Sequence, residues 1–276
     1  MWLGKSLHKS NQKEKNMFRG FYTLTSSMVT NERRLNVISN NMANASTPGF
    51  KRDNLITTTF QEALAYRTGN RGQVTPPVFL GNSVHKMRVL DERVTYFGQG
   101  VPEFTARPLD VAIMGDGFFE IETFDGETVF TRNGSFTIDH ERYLVLQHVG
   151  RVIGYDGEWI NLETDRIEFR SDGTIVMEAG SPGAGTELGR LGIVGFADND
   201  LLEITGEGLF LNLDEENMVE VPNPNILWRH IERSNVSAID EMVAMMASQR
   251  NLQAAAQIIR TYDQLMQRAA NDIARF

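Results

Sequence analysis

Apolar positions along the chain change period twice, and the regimes predict different kinds of structure. From residue 17 to about residue 45 the period is helical. Phe21, Met28, Leu35 and Met42 fall seven apart, Leu24 and Ile38 occupy the companion column, and Asn31 interrupts the pattern. Such an a/d seam suits a helix packed on another helix, with a lone polar residue setting register. It also suits an amphipathic helix lying on its own domain's core, with Asn31 as a partly solvated surface residue. Thr47-Pro48-Gly49 closes the helix, because proline lacks an N–H and disfavours helical geometry in the residue before it. Asn40, Asn41 and Asn44 cluster just ahead of that break. Asparagine prefers helix ends to interiors, and its amide both donates and accepts, so the cluster reads first as helix termination and second as a contact to a neighbouring subunit.

From about residue 100 the pattern becomes that of short strands. Apolar runs at 109–113, 118–122, 143–146 and 167–169 are separated by Asp125-Gly126, Asn133-Gly134, Asp156-Gly157 and Asp172-Gly173. These pairs tolerate the positive φ of tight hairpins. Turn signals at this spacing predict an antiparallel barrel or sandwich rather than a βαβ fold. Helical periodicity returns near Ile231. Leu252, Ala255, Ile259, Tyr262, Met266, Ala269, Ile273 and Phe276 then advance in alternating steps of three and four, a heptad seam. Ser237 and Asp240 mark a helix start or restart within it.

The reading is therefore an α+β chain: two terminal helices that pack as a coiled-coil-like bundle, with an inserted antiparallel β domain, barrel- or sandwich-like. Its divisions are an extension or mis-assigned start at 1–16, the N-terminal helix at 17–50, a mixed linker at 51–99, the β domain at 100–225 and the C-terminal helix at 226–276. Within the linker, 60–66 reads as a short helix and 68–77 as a loop.

Composition narrows the chemistry. The formal net charge of −9, with lysine and arginine scattered, argues against nucleic acid, which needs a basic face. No apolar run approaches the ~20 residues of a membrane-spanning helix. The first 16 residues hold no apolar segment after Lys5, which argues against a Sec signal peptide. With no cysteine, the fold uses neither disulfides nor thiolate metal sites. His8, His85, His140, His148 and His230 lack metal-ligand spacing. Asp110, Asp116, Glu120 and Glu122 crowd one β region as an imaginable acid/base set, but Asp116 stands in a Gly-Asp-Gly turn where local bonding accounts for it. The Gly-rich 180–185 segment lacks the Lys-Ser/Thr of a phosphate loop and reads as surface. No catalytic, metal or cofactor site is expected.

Three sets of residues carry a resemblance. The first is Met17-Phe-Arg-Gly-Phe-Tyr, continuing to Asn40, Asn41, Ala43, Asn44, Thr47, Gly49, Phe50 and Lys51. The second is Pro108-Leu-Asp-Val-Ala-Ile113, Gly115-Asp-Gly-Phe-Phe119 and Phe130-Thr-Arg-Asn-Gly-Ser-Phe136. The third is Glu232-Arg-Ser-Asn-Val236, Glu241-Met-Val243 and Gln249-Arg250. In this order they resemble the flagellar rod and hook family, and the length and ending resemble its proximal or distal rod members. Met17 sits where that family normally begins, and Asn251-Leu252 replaces its aromatic after Gln-Arg.

The resemblance implies a structural subunit of the flagellar basal body, exported without a Sec signal by the flagellar export apparatus. It would polymerise with itself and with other rod and hook subunits and transmit torque from motor to hook. The expected assembly contacts are Phe21, Met28, Leu35, Ile38, Met42, Asn40, Asn41, Asn44, Leu252, Ile259, Tyr262, Met266, Ile273 and Phe276. The competing reading is a secreted carbohydrate-binding or hydrolytic β domain flanked by oligomerisation helices.

Overall fold

Alternation along one strand organises the β region. In Phe118–Thr123, Phe119 and Ile121 are fully buried on one face, while Phe118 points to the other, as a period of two requires. The computed structural model describes residues 3–59, 63–67, 78–83, 88–162, 164–178, 183–206, 208–221 and 224–273. Among these, Phe118–Thr123 is the centre of a nine-stranded antiparallel sheet. One edge pairs with Thr128–Thr131 across the Asp125-Gly126 hairpin. The other edge is shared, Ile121 to Thr123 pairing with Gly150–Val152 and Phe118 and Phe119 with Ile193–Phe196.

The first face joins Val129, Phe136, Leu144 and Val152 in the main core. Val111 and Ile113 enter that core from the ladder Val111–Met114 with Asn225–Trp228. Ile167, Phe169 and Ile175 enter it from the three-stranded sheet Ile167–Phe169, Thr174–Met177 and Glu187–Arg190. The second face packs Phe118, Phe130, Leu202 and Phe210 with Phe97 and Phe196 against it. Centroid separations there run from 5.0 Å for Phe130–Phe196 to 5.9 Å for Phe97–Phe118, the range of favourable edge-to-face aromatic packing.

The Asn133-Gly134 pair does not close a hairpin, because Phe136–Ile138 pairs with Leu144–Leu146 instead. Glycine is needed there for proximity: a Cβ on Gly134 would lie 1.8 Å from the Val111 carbonyl oxygen.

The chain forms two compact units. One comprises Asn40–Asp53 and Thr95–Ala238 and holds the β cores. The other comprises Met1–Ser39, Asn54–Val94 and Ile239–Phe276 and carries most of two long helices, α1 (Leu3–Ala43) and α2 (Ala238–Ile273). The α+β class with an antiparallel middle is what the periodicities predict.

Three details differ from the sequence reading. α1 begins at Leu3, so helix runs through much of the segment set apart as an extension. The expected short helix at 60–66 is replaced over Ala63–Arg67 by a strand paired with Val78–Ser83; pairing overrides the helical propensity of Ala-Leu-Ala. The loop expected at 68–77 lies outside the described residues. At the other end, residues 226–236 are not helical: Asn225–Trp228 and His230–Glu232 are strands. α2 starts right after Ser237, with Asp240 and Glu241 in its first turn, where negative charge complements the helix dipole.

Candidate functional site

The segment leaving α1 turns sharply and ties itself to the segment entering α2. The Asn44 amide donates to the Asn40 carbonyl at 3.1 Å, and the Thr47 hydroxyl donates to the Asn44 side chain at 3.2 Å, which closes the helix end locally. Gly49 then adopts φ +71 and donates its N–H to the Glu232 carbonyl at 2.8 Å. A Cβ at this position would lie 2.4 Å from the Arg132 carbonyl carbon, so only glycine fits.

Two residues later the Lys51 ammonium reaches the Glu232 carboxylate at 2.6 Å, both side chains 1% exposed. The same carboxylate oxygen accepts the Gly100 N–H at 2.7 Å, and the other faces Arg132 Nη1 at 3.5 Å. Burial pulls the Lys51 ammonium below its ordinary range, and Glu232 opposes that shift. Arg132 is lowered in the same way, against Glu232 and Asp116. Its guanidinium also lies 5.0 Å from the Phe118 ring centroid, so the ion cluster sits against the second aromatic core. Two cations and one carboxylate leave a buried excess of positive charge. Such a group holds only while every partner stays in place.

Two asparagines complete the junction. Asn41, in the last turn of α1, donates to the Asp53 carbonyl at 2.9 Å and accepts the Asp53 N–H at 3.0 Å. Asn235 accepts the Arg52 N–H at 2.7 Å and donates to the carbonyls of Tyr96 and Gly98 at 2.8 and 2.9 Å. Each amide thus plays donor and acceptor to backbone, the capacity that singled out the Asn40–Asn44 cluster. The Asn41 bonds lie within the chain, whereas Asn40 is exposed. Sequence reading quoted Lys51 and Glu232 as motif residues but missed their pairing. A charged residue inside each otherwise apolar or Asn-rich motif was the available signal.

The helical seams divide differently. On α1, Ile38 is buried and Met28, Leu35 and Met42 are half-buried. Asn31 donates to the Ser27 carbonyl of its own helix at 3.0 Å. The side chain of Phe21 lies outside the described residues, as do the side chain of Ile273 and the whole of Phe276. On α2, Leu252, Ile259 and Tyr262 are half-buried and Met266 is exposed. The column extends backward through Ala255, Ser248 and Glu241, all buried and seven apart, with Glu241 only 1% exposed. At 3.6 residues per turn the opposite side carries Ile239, Met242, Val243 and Met246. All four are exposed, Ile239 at 75%.

Of the carboxylates weighed as an acid/base set, Asp110 and Glu122 have separate partners and Asp116 is exposed. Asp110 is buried beside Arg107, Glu122 accepts the Trp159 indole N–H, and Glu120 is raised above its ordinary range by burial. Among the described residues no three His, Asp or Glu side chains form a group able to hold a metal.

Three stretches match known families: residues 21–51 match the flagella basal body rod protein, 112–180 the flagellar hook protein FlgE/F/G D1 domain, and 229–272 the flagellar basal body rod FlgEFG protein C-terminal region. Flagellar basal-body rod protein FlgG of Bacillus subtilis is 32% identical over 92% of this chain and 99% of its own length. FlgG of Borreliella burgdorferi is 31% identical over 92% and 98%. Flagellar basal-body rod protein FlgF of Caulobacter vibrioides is 28% identical over 94% and 99%.

The chain belongs to the flagellar basal-body rod protein family. It is a structural rod subunit of the basal body, and the carbohydrate-binding alternative draws no support from these matches. Each of the three matched stretches of this rod protein supplies one member of the buried cluster: Lys51, Arg132 and Glu232.

Proposed function

We propose that this rod protein polymerises with copies of itself and with other rod and hook subunits through its terminal helices, and that the junction of Lys51, Glu232 and Arg132 holds the roots of both helices on the β unit so that torque passes from motor to hook. One observation carries the reading: α2 has a column covered within the chain and, on its far side, an uncovered apolar stripe. Burying one such side chain contributes about 1.5–3 kcal/mol. A stripe of four side chains over two turns is small beside the ~800 Å² per partner of a standard interface, so it suits a contact repeated along a filament. Heterologous contacts that do not close give a helical filament.

Of the seam residues expected at the interface, Ile38 is already covered in the single chain. The assembly contacts therefore fall on exposed positions: Asn40 on α1, and the stripe with Leu265 and Met266 on α2. The half-buried seam positions Met28, Leu35, Met42, Leu252, Ile259 and Tyr262 serve the helix packing that supports those contacts. No catalytic step is assigned. The chain reaches the basal body through the flagellar export apparatus.

Met242→Asp combined with Val243→Asp tests the reading, since both side chains are exposed. Motility and incorporation into isolated basal bodies should be lost, with circular dichroism unchanged. Normal swimming by this variant would refute assembly through the stripe. Secretion that persists without the flagellar export ATPase would refute the export route.

A further inference from the structure

Among the described residues, three that are not glycine hold a positive φ: Arg142 at 70°, His148 at 65° and Arg229 at 57°. Side chains rarely adopt this left-handed region and persist there only where the surroundings impose it. Arg142 and His148 stand in the hairpin turns on either side of Leu144–Leu146, where a left-handed residue is an ordinary part of the turn. Arg229 stands between two strands, Asn225–Trp228 and His230–Glu232, at a point where the chain does not reverse.

Its place in the ladders shows what it does. Trp228 pairs with Val111 and His230 with Phe104, so residues 105–110 stand opposite Arg229 alone. The Arg229 N–H donates to the Asp110 carbonyl at 2.8 Å, and the Arg229 carbonyl accepts the Thr105 N–H at 2.7 Å and the Thr105 hydroxyl at 3.3 Å. One residue thus pinches both ends of a bulge, and a bulge bends the ribbon that carries it. Beyond the bend the ribbon runs to Glu232, whose carboxylate takes the Lys51 ammonium and the Gly100 N–H.

The side chain clamps this backbone from outside. The Arg229 guanidinium lies 4.2 Å from the Trp228 ring centroid and pairs with Glu178 at 3.2 Å. The Trp228 indole N–H in turn donates to the Pro108 carbonyl, inside the bulge, at 2.8 Å. Glycine reaches such a φ without steric cost; here an arginine stands in its place and is held by two partners.

We propose that Arg229 is a positioning residue: clamped by Trp228 and Glu178, it locks the bend of the ribbon and so sets the direction in which Glu232 enters the junction. This rests on the reading of the junction as the holder of the helix roots, and it adds the residue that aims the junction's carboxylate. Arg229 bonds to none of Lys51, Arg132 and Glu232, so coupling between them acts through the course of the strand.

The test is a double-mutant cycle on the isolated full chain. Glu232→Gln is introduced in the wild-type, Arg229→Ala and Arg229→Gly backgrounds, and unfolding is read by chemical denaturation. Sites that share no partner add. The lock instead predicts that Arg229→Ala blunts the effect of Glu232→Gln on the unfolding constant about fivefold or more, because the carboxylate is already misaimed. The amide resonance of Gly100, which donates to that carboxylate, should shift in Arg229→Ala. Arg229→Gly meets the backbone requirement without a clamp, so it should keep both the wild-type effect and the wild-type resonance. Phe119→Ala, in the main core, should add with Arg229→Ala within about twofold. Coupling of equal size to Phe119→Ala would overturn the lock, as Arg229 would then be one more support of the main core. Additivity with a costly Glu232→Gln would overturn it too, as would an Arg229→Gly that fails to fold or behaves as Arg229→Ala does. A Glu232→Gln that costs nothing in the otherwise wild-type chain would overturn the junction and the lock together, so the two failures are told apart.

Discussion

The β unit and α2 dispose of apolar surface in opposite ways. In the sheet, Phe119, Ile121, Phe136 and Leu144 are buried, and the acidic Asp125 and Glu127 are at the surface. Among the described residues of α2 the fully covered positions are Glu241, Ser248 and Ala255, while Ile239, Met242, Val243 and Met246 face outward. The sheet buries a core on each of its faces within one chain, because hairpins and cross-strand ladders bring distant segments over both. α2 covers one column within the chain and leaves the far column bare. Buried polar and exposed apolar residues are the informative inversions of the usual rule.

Substitutions sharpen that contrast, in order of expected effect on the isolated chain. Glu232→Ala comes first. It leaves Lys51 and Arg132 buried without their carboxylate, and breaking a buried pair in this way costs about 3–5 kcal/mol. Chemical denaturation should show the loss in the β unit, and Lys51→Met in the same background should recover part of it. Full stability of Glu232→Ala would show that the junction does not hold the helix roots.

Phe119→Ala should cost about 3–5 kcal/mol by opening a cavity in the main core, read as a lowered denaturation midpoint. A loss below 1 kcal/mol would mean the sheet does not bury this core within the single chain.

Glu120→Gln should give a smaller change of opposite sign. Burial raises the folded carboxyl above its ordinary 4.5. Between those values the native chain binds more protons than the unfolded one, so wild-type stability falls as pH rises through the window. The variant should be the more stable at neutral pH and equal to wild type below pH 4.5. A pH-independent difference would exclude the carboxyl as its source.

Met242→Ser with Val243→Ser should be nearly silent, within about 0.5 kcal/mol, as substitutions at exposed sites are. A large loss would place these side chains in the chain's own core and remove the contrast with the sheet.

Much of this was legible in local pattern. Asp125-Gly126 and Asp172-Gly173 turn between paired strands as read, since a tight turn is a local backbone property. The end of α1 before Pro48 was equally legible, and Asn44 and Thr47 supply its closing bonds. Ile231 misled, because an isolated apolar residue near a helical run does not show that Pro102–Phe104 will claim it as a strand partner. Gly134 misled as well. Asn-Gly favours a turn locally, but the approach of the Val111 carbonyl decides why glycine stands there.

The sequence alone determined the class of the fold, the two helical ends and the family, because periodicity and motif order are local and additive. Tertiary structure alone decided that Lys51, Arg132 and Glu232 meet, although the first and last lie 181 residues apart. It also decided which side of α2 is left bare. A seven-residue repeat marks a column on a helix but does not say whether the chain itself or a neighbour covers it. Here the chain covers the column that includes Glu241, and the bare side is the one through Met242. The reason is physical: burial depends on what else is packed nearby, and that is a property of the folded assembly rather than of any window of residues.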